Sequence, residues 1–242
     1  MSHRTRFDAL YITFLLLSLY WIMHVIRNMI HVAVSHIAYI HFTYGITGFN
    51  AAQAFIKVYR RSMGSICCGS LLAPAIIVFR CMARTLKLLA GDNDEFMFSC
   101  ASCYMIISDK LVACGNRWGY VHVGTHQRSF FKASQYAWGK FVETGMVNVI
   151  DTDLTSSFCF ICGVTGGMIS ALLGGIWTTI VDKSYTATIS INAFLIGYFM
   201  IRVTMALPQA CVSAYYVAYS DNPHNPRLHN FIPGRIRELN AP

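Results

Sequence analysis

The run LYITFLLLSLYWIMHVIRNMIHVAVSHIAYIHF, from about Leu10 to Phe42, holds one arginine and no carboxylate. That run constrains the fold more than any other feature. As one helix rising 1.5 Å per residue it would be roughly 50 Å long, against a hydrocarbon core of about 30 Å. A helix of that length must tilt, project beyond the bilayer, or break near Arg27–Asn28. The run is too long for a cleavable signal peptide, and no small-residue cleavage site ends it.

The rest of the chain has the same character. Its 242 residues are 55% hydrophobic and only 12% charged, where globular chains carry about 25% charge. A water-soluble fold of this size would lack the polar groups to cover its surface. The expected class is therefore all-α, a polytopic membrane helix bundle with membrane lipid as its first partner. The formal charge of +8 is scattered among apolar segments. No basic stripe with interleaved aromatics appears, which argues against nucleic acid. Nine cysteines are present, most of them inside apolar runs (Cys67, Cys68, Cys81, Cys159, Cys162 and Cys211), where they read as small hydrophobes. The CxxC pairs Cys100–Cys103 and Cys159–Cys162 lie too far apart for a zinc module, and a thiolate–metal centre within FCFICGVTGG would be costly in lipid. The expectation is no metal, no cofactor and no disulfide framework. With no nucleophile elbow or comparable constellation, catalytic residues are expected to be none.

Five spans are expected, at about 10–42, 65–87, 95–114, 154–181 and 188–219. Pro74 would kink the second, Asp109 and Lys110 weaken the third, and Arg202 and Pro208 lie in the last. Together they form a membrane domain over 1–220, with 221–242 a short tail. In the segment 116–145, Phe130, Phe131, Ser134, Ala137, Trp138 and Phe141 recur at helical spacing among Arg128, Lys132 and Lys140. That pattern suits an amphipathic helix at the membrane surface better than a solvated connector. Lysine and arginine before Met63, in 116–145 and in the tail put those segments inside. The amino terminus is then outside and the carboxyl terminus cytosolic.

Residues 60–74, RRSMGSICCGSLLAP, have the glycine spacing of a phosphate loop, with Gly64 and Gly69 five apart. Ser70 stands where such a loop needs lysine, and no strand precedes it, so the nucleotide reading fails. Gly64, Ser65, Gly69, Ser70 and Ala73 instead suit close approach of helices in lipid. Arg60 and Arg61 would sit at the inner interface, among lipid phosphates.

The same stretch, RSMGSICCGSLL, resembles a segment of the choline transporter-like family. YWIMHVIRNMIHVAVS (20–35) resembles the aromatic-rich helix before it, especially in the fungal branch. NRWGYVHVGTHQRSFFKASQYAWGKF (116–141), the span from Asp151 and the ending near Pro208 with SDNP (220–223) follow in the same order. The resemblance covers nearly the whole chain and implies about ten spans in the family, of which this chain corresponds to the carboxyl-terminal half. It also implies transport of choline or a related small organic cation at the plasma membrane, with a second chain a candidate source of missing helices. The competing reading is a non-transporting assembly or partner-binding protein that keeps the fold of half a transporter.

A quaternary ammonium donates no hydrogen bond, so its recognition relies on aromatic faces. Tyr20, Trp21, Trp118, Tyr120, Tyr198, Tyr215 and Tyr216 are candidates, although such rings also form interfacial belts. His24, Asn28 and His31 share a helix face at i, i+4 and i+7. That face serves either a polar pathway, with histidines titrating near neutrality, or hydrogen bonds to neighbouring helices. Arg202 stands near the middle of the last span, paired or snorkelling. The candidate substrate path is thus Tyr20, Trp21, His24, Asn28, His31, Tyr198 and Arg202.

Overall fold

The computed structural model describes residues 2–48, 50–90, 107, 110–181, 183–228, 232 and 234. Among these residues there is no strand. Helix α1 runs unbroken from Ser2 to Tyr44, roughly 65 Å at 1.5 Å per residue. No break occurs at Arg27–Asn28. Arg27 bonds Gln209, and Asn28 bonds Ser70 and Tyr120, so neither polar side chain requires the helix to unwind.

Helix α2, Ala51–Ala90, begins where the Asn50 side chain accepts the Ala52 and Gln53 amides at 3.0 and 3.4 Å, an N-terminal cap. It continues through Pro74 and contains the expected second span. The expected third span lies outside the described residues except for 107 and 110–114, which are helical. The remaining elements are α3 (Gly119–His126), α4 (Phe130–Glu143), α5 (Val147–Asp151), α6 (Thr155–Val181), a 3-10 turn (Lys183–Tyr185), α7 (Thr186–Thr204) and α8 (Ala206–Asp221). Among the described residues, Leu10–Tyr44, Val147–Val181 and Lys183–Asp221 are long and apolar enough to cross a membrane.

Two expectations gain detail. The last span lies within Lys183–Asp221, as expected, and is built from two helices, since α7 ends at Thr204 and α8 restarts at Ala206. Pro208 accounts for the interruption: its ring would clash with the carbonyl four residues back, at Thr204, and as the third residue of α8 it stands in a first turn, where proline is best tolerated. The segment 116–145 holds the expected amphipathic helix over Phe130–Phe141, as α4, and a second helix, α3, ahead of it. Gln127, in the left-handed region at φ 54°, closes α3, and α3 is buried from Gly119 through Gly124. Only α4 is amphipathic, burying Phe130, Ala133, Ser134, Ala137 and Phe141. Phe131 points the other way and is exposed. Asn116 fastens the two helices, donating to the Val112 and Ser134 carbonyls at 3.2 and 3.0 Å and accepting the Gly119 amide at 3.0 Å.

Helix α1 is the spine. Its partners on α8 and just beyond are offset by a constant 182 residues: Arg27 with Gln209, His31 with Ser213, Tyr39 with Asp221 and Thr43 with Asn225. A constant difference means that α1 and α8 run parallel, in register. The contacts between α6 and α7 go the other way, Gly163 meeting Arg202 and Gly167 meeting Phe194, as in an antiparallel hairpin. On the outside of that hairpin, Leu172, Leu173, Ile176, Trp177 and Ile180 are each more than 60% exposed. Such a surface is costly in water and costs nothing against lipid tails.

Glycines set the close approaches. A Cβ on Gly124 of α3 would lie 2.9 Å from the Val32 carbonyl oxygen on α1. In the stretch 60–74, a Cβ on Gly69 would lie 2.5 Å from the Tyr120 hydroxyl and 2.8 Å from the Phe130 ring, while one on Gly64 meets nothing within 4 Å. The small-residue reading therefore holds at Gly69 and not at Gly64. Gly69→Ala is expected to lower the stability of the detergent-solubilised protein by about 1–3 kcal/mol through overpacking. Gly64→Ala should instead raise it by up to about 1 kcal/mol through helix propensity. Thermal melts of the two variants side by side check the contrast, and equal melting points would refute it.

Candidate functional site

Tyr20, His24 and Arg27 lie on one face of α1 at i, i+4 and i+7. Tyr198 and Arg202 of α7 meet them. With Met23, Phe199 and Val203 these residues enclose a cleft of about 10 Å³, space for a single water-sized body. The Tyr20 and His24 rings are 4.4 Å apart, and Tyr198 stacks on Phe194 at 6.1 Å. Arg202 reaches the cleft over Gly163 of α6, where a Cβ would come within 2.7 Å of the arginine Cδ. Its Nη1 is buried without a hydrogen-bond partner, as is the Nε of Arg27.

Four of the seven expected path residues thus come together: Tyr20, His24, Tyr198 and Arg202. Trp21 does not line the cleft and is 40% exposed beside it. Asn28 and His31 belong to a separate buried cluster. The Asn28 amide donates to Ser70 Oγ at 2.9 Å and to Tyr120 Oη at 3.1 Å. His31 Nε2 is 3.4 Å from Ser213 Oγ, and the Tyr120 ring meets the imidazole edge-on at 5.9 Å. For these two residues the structure has the hydrogen bonds between helices. Among the aromatics, Trp118 and Tyr120 are buried in the core, with Trp118 packed on Phe141 and Tyr216 at 5.7 and 5.5 Å.

A chain of polar contacts leads away from the cleft. Arg27 donates through Nη2 to Gln209 Oε1, and Gln209 Nε2 donates to Ser156 Oγ at 2.9 Å. Arg117 donates to the same hydroxyl and pairs with Asp153. Asp153 also accepts the amide and hydroxyl of Thr155 at 3.1 and 2.5 Å, at the start of α6. The sequence marks Arg27 as the one charge in the first apolar run. It gives no sign of Gln209, which acquires its role because the helix restarts just ahead of it.

At the far end of α1, Tyr39 donates to Asp221 at 2.8 Å. The Tyr39 ring lies edge-on to His122 and His126, whose Nδ1 atoms are 3.3 Å apart. Tyr136 meets His122 at 4.9 Å in a T-shaped contact. Burial first, then the neighbouring His126 and Arg128, push the His122 imidazole down to about 3.

The sequence profile of the family described as plasma-membrane choline transporter matches residues 4–224. The chain belongs to that family. Protein PNS1 of Mycosarcoma maydis is 27% identical over 244 residues, covering 90% of this chain and 45% of that protein. Protein PNS1 of Gibberella zeae is 24% identical, covering 90% and 44%. A CTL-like protein of Dictyostelium discoideum is 23% identical, covering 87% and 39%. This choline transporter-like chain thus spans about half the length of the curated relatives it matches. No solved structure matches it.

His122 supplies a pH test. Its folded-state value lies below the ordinary 6.5, so the unfolded chain takes up the proton first. The stability that neutral His122 contributes is complete above pH 6.5. It is lost as pH falls towards 3, by up to about 1.4 kcal/mol per unit. His122→Gln should flatten the fall in melting temperature between pH 6.5 and 4. The same slope in both proteins would mean that His122 titrates normally.

Proposed function

We propose that this chain takes part in moving choline, or a related small organic cation, across the plasma membrane. The observation that carries the reading is the family match over residues 4–224. In this reading the protein performs no covalent chemistry, its carboxyl terminus is cytosolic, and the basic segments 57–61 and 116–145 face the same side. The parallel course of α1 and α8 supports an odd number of crossings, which agrees with five spans.

The cleft is too small for a quaternary ammonium and is lined by two arginines and no carboxylate. The cation path therefore runs along the neighbouring aromatic face, where Tyr20 and Trp21 are 42% and 40% exposed and ring faces attract alkylammonium groups. Above that face, Leu10, Phe14, Leu16 and Leu17 are exposed around α1. That surface suits additional helices, supplied by a second chain or by the length that the relatives have and this chain does not cover.

Cells expressing the protein at a verified surface level should accumulate labelled choline saturably. Tyr20→Ala and Trp21→Ala should each cut that uptake about tenfold or more, equivalent to at least about 1.4 kcal/mol of lost recognition. Uptake no higher than in control cells would sink the proposal. The two cleft arginines favour one further reading, an assembly protein that has lost the cation path. It predicts a stable partner in cross-linking and no choline-dependent thermal shift.

A further inference from the structure

The cleft between α1 and α7 has an electrostatic imbalance. Arg27 and Arg202 both line it, in the middle of spans where a charged side chain is expensive unless compensated. Compensation within the described residues is missing. Arg27 gives Nη2 to the neutral Gln209. Asp153, the acid at the end of that polar chain, is taken by Arg117 and Thr155. The Nε of Arg27 and the Nη1 of Arg202 are buried donors with no partner. The other polar residues lining the cleft, Tyr20, His24 and Tyr198, bring no negative charge at neutral pH.

Size narrows the occupant. About 10 Å³ is available between the side chains, room for one water-sized body. A water molecule would fill the space but leave both charges unbalanced. A halide is little larger than water, offsets one of the two positive charges directly and lowers their mutual repulsion, and accepts hydrogen bonds from any direction. We propose that the Arg27–Arg202 cleft is a binding site for one halide-sized anion, chloride in the cell. The site does not depend on the transport reading. It stands on two arginines that line a space of that size, each with a buried donor that has no hydrogen-bond partner.

The test uses the purified chain in detergent at constant ionic strength, with chloride or bromide exchanged for gluconate. Chloride and bromide should raise the melting temperature saturably, by about 5 °C or more at a hundredfold excess over Kd. Arg202→Gln should lose that dependence, and in gluconate it should melt above the wild type, because it removes an uncompensated charge. Independently of any variant, the 35Cl resonance should broaden in the presence of the wild-type protein and narrow again when bromide is added. Identical melting of the wild type in chloride and gluconate would overturn the site. So would an undiminished halide effect in Arg202→Gln, the absence of excess 35Cl linewidth, or stabilisation by acetate but not by halide.

Discussion

Polar side chains in the middle of α1 must find partners, because lipid offers them none. The rest of the structure is arranged around that requirement. Asn28 draws in Ser70 of α2 and Tyr120 of α3. Arg27, His31 and Tyr39 meet Gln209, Ser213 and Asp221 along α8. Apolar packing between helices gains little inside a bilayer, since lipid tails are as apolar as leucine. These polar contacts therefore fix the register of α1 against its neighbours in a way that its leucines and isoleucines do not.

Small residues determine how close the neighbours can come. Gly69 admits Tyr120 and Phe130, Gly124 admits the α1 backbone, and Gly163 admits the stem of Arg202. The last of these links packing to the site, because without that space on α6 the guanidinium would not lie across from Arg27. Geometry at the cleft thus depends on a residue that contributes no side chain.

Much of this is legible in the sequence. The charge deficit gave the membrane class, and the small residues around Gly69 gave a close helix contact. The i, i+4, i+7 spacing puts His24, Asn28 and His31 on one face of α1, which the structure divides between the cleft, for His24, and the hydrogen-bonded cluster, for Asn28 and His31. The burial of 116–126 is not legible, because the amphipathic pattern of the sequence begins at Phe130 and nothing local shows where Arg117 and His122 come to rest. Arg117 is satisfied by Asp153 and Ser156, and His122 is packed among rings with its Nε2 buried and without a hydrogen-bond partner. Those partners lie up to 39 residues away, beyond the reach of any local pattern. Pro208 was visible in the sequence, but a proline alone does not say whether a helix kinks or stops. The meeting of α1 with α7 that makes the cleft is wholly tertiary.

The in-register pairing of α1 with α8 also bears on how the chain is made. Each of those bonds joins residues 182 positions apart. At about 5–20 residues per second the ribosome needs roughly 10–40 s to deliver the second partner after the first. Through that interval Arg27, His31 and Tyr39 reside in the newly inserted α1 without their final contacts. Biogenesis therefore passes through a long-lived intermediate whose least lipid-compatible groups wait on α8. Truncation or stalling anywhere before α8 leaves a span that the membrane quality-control machinery has a physical reason to recognise.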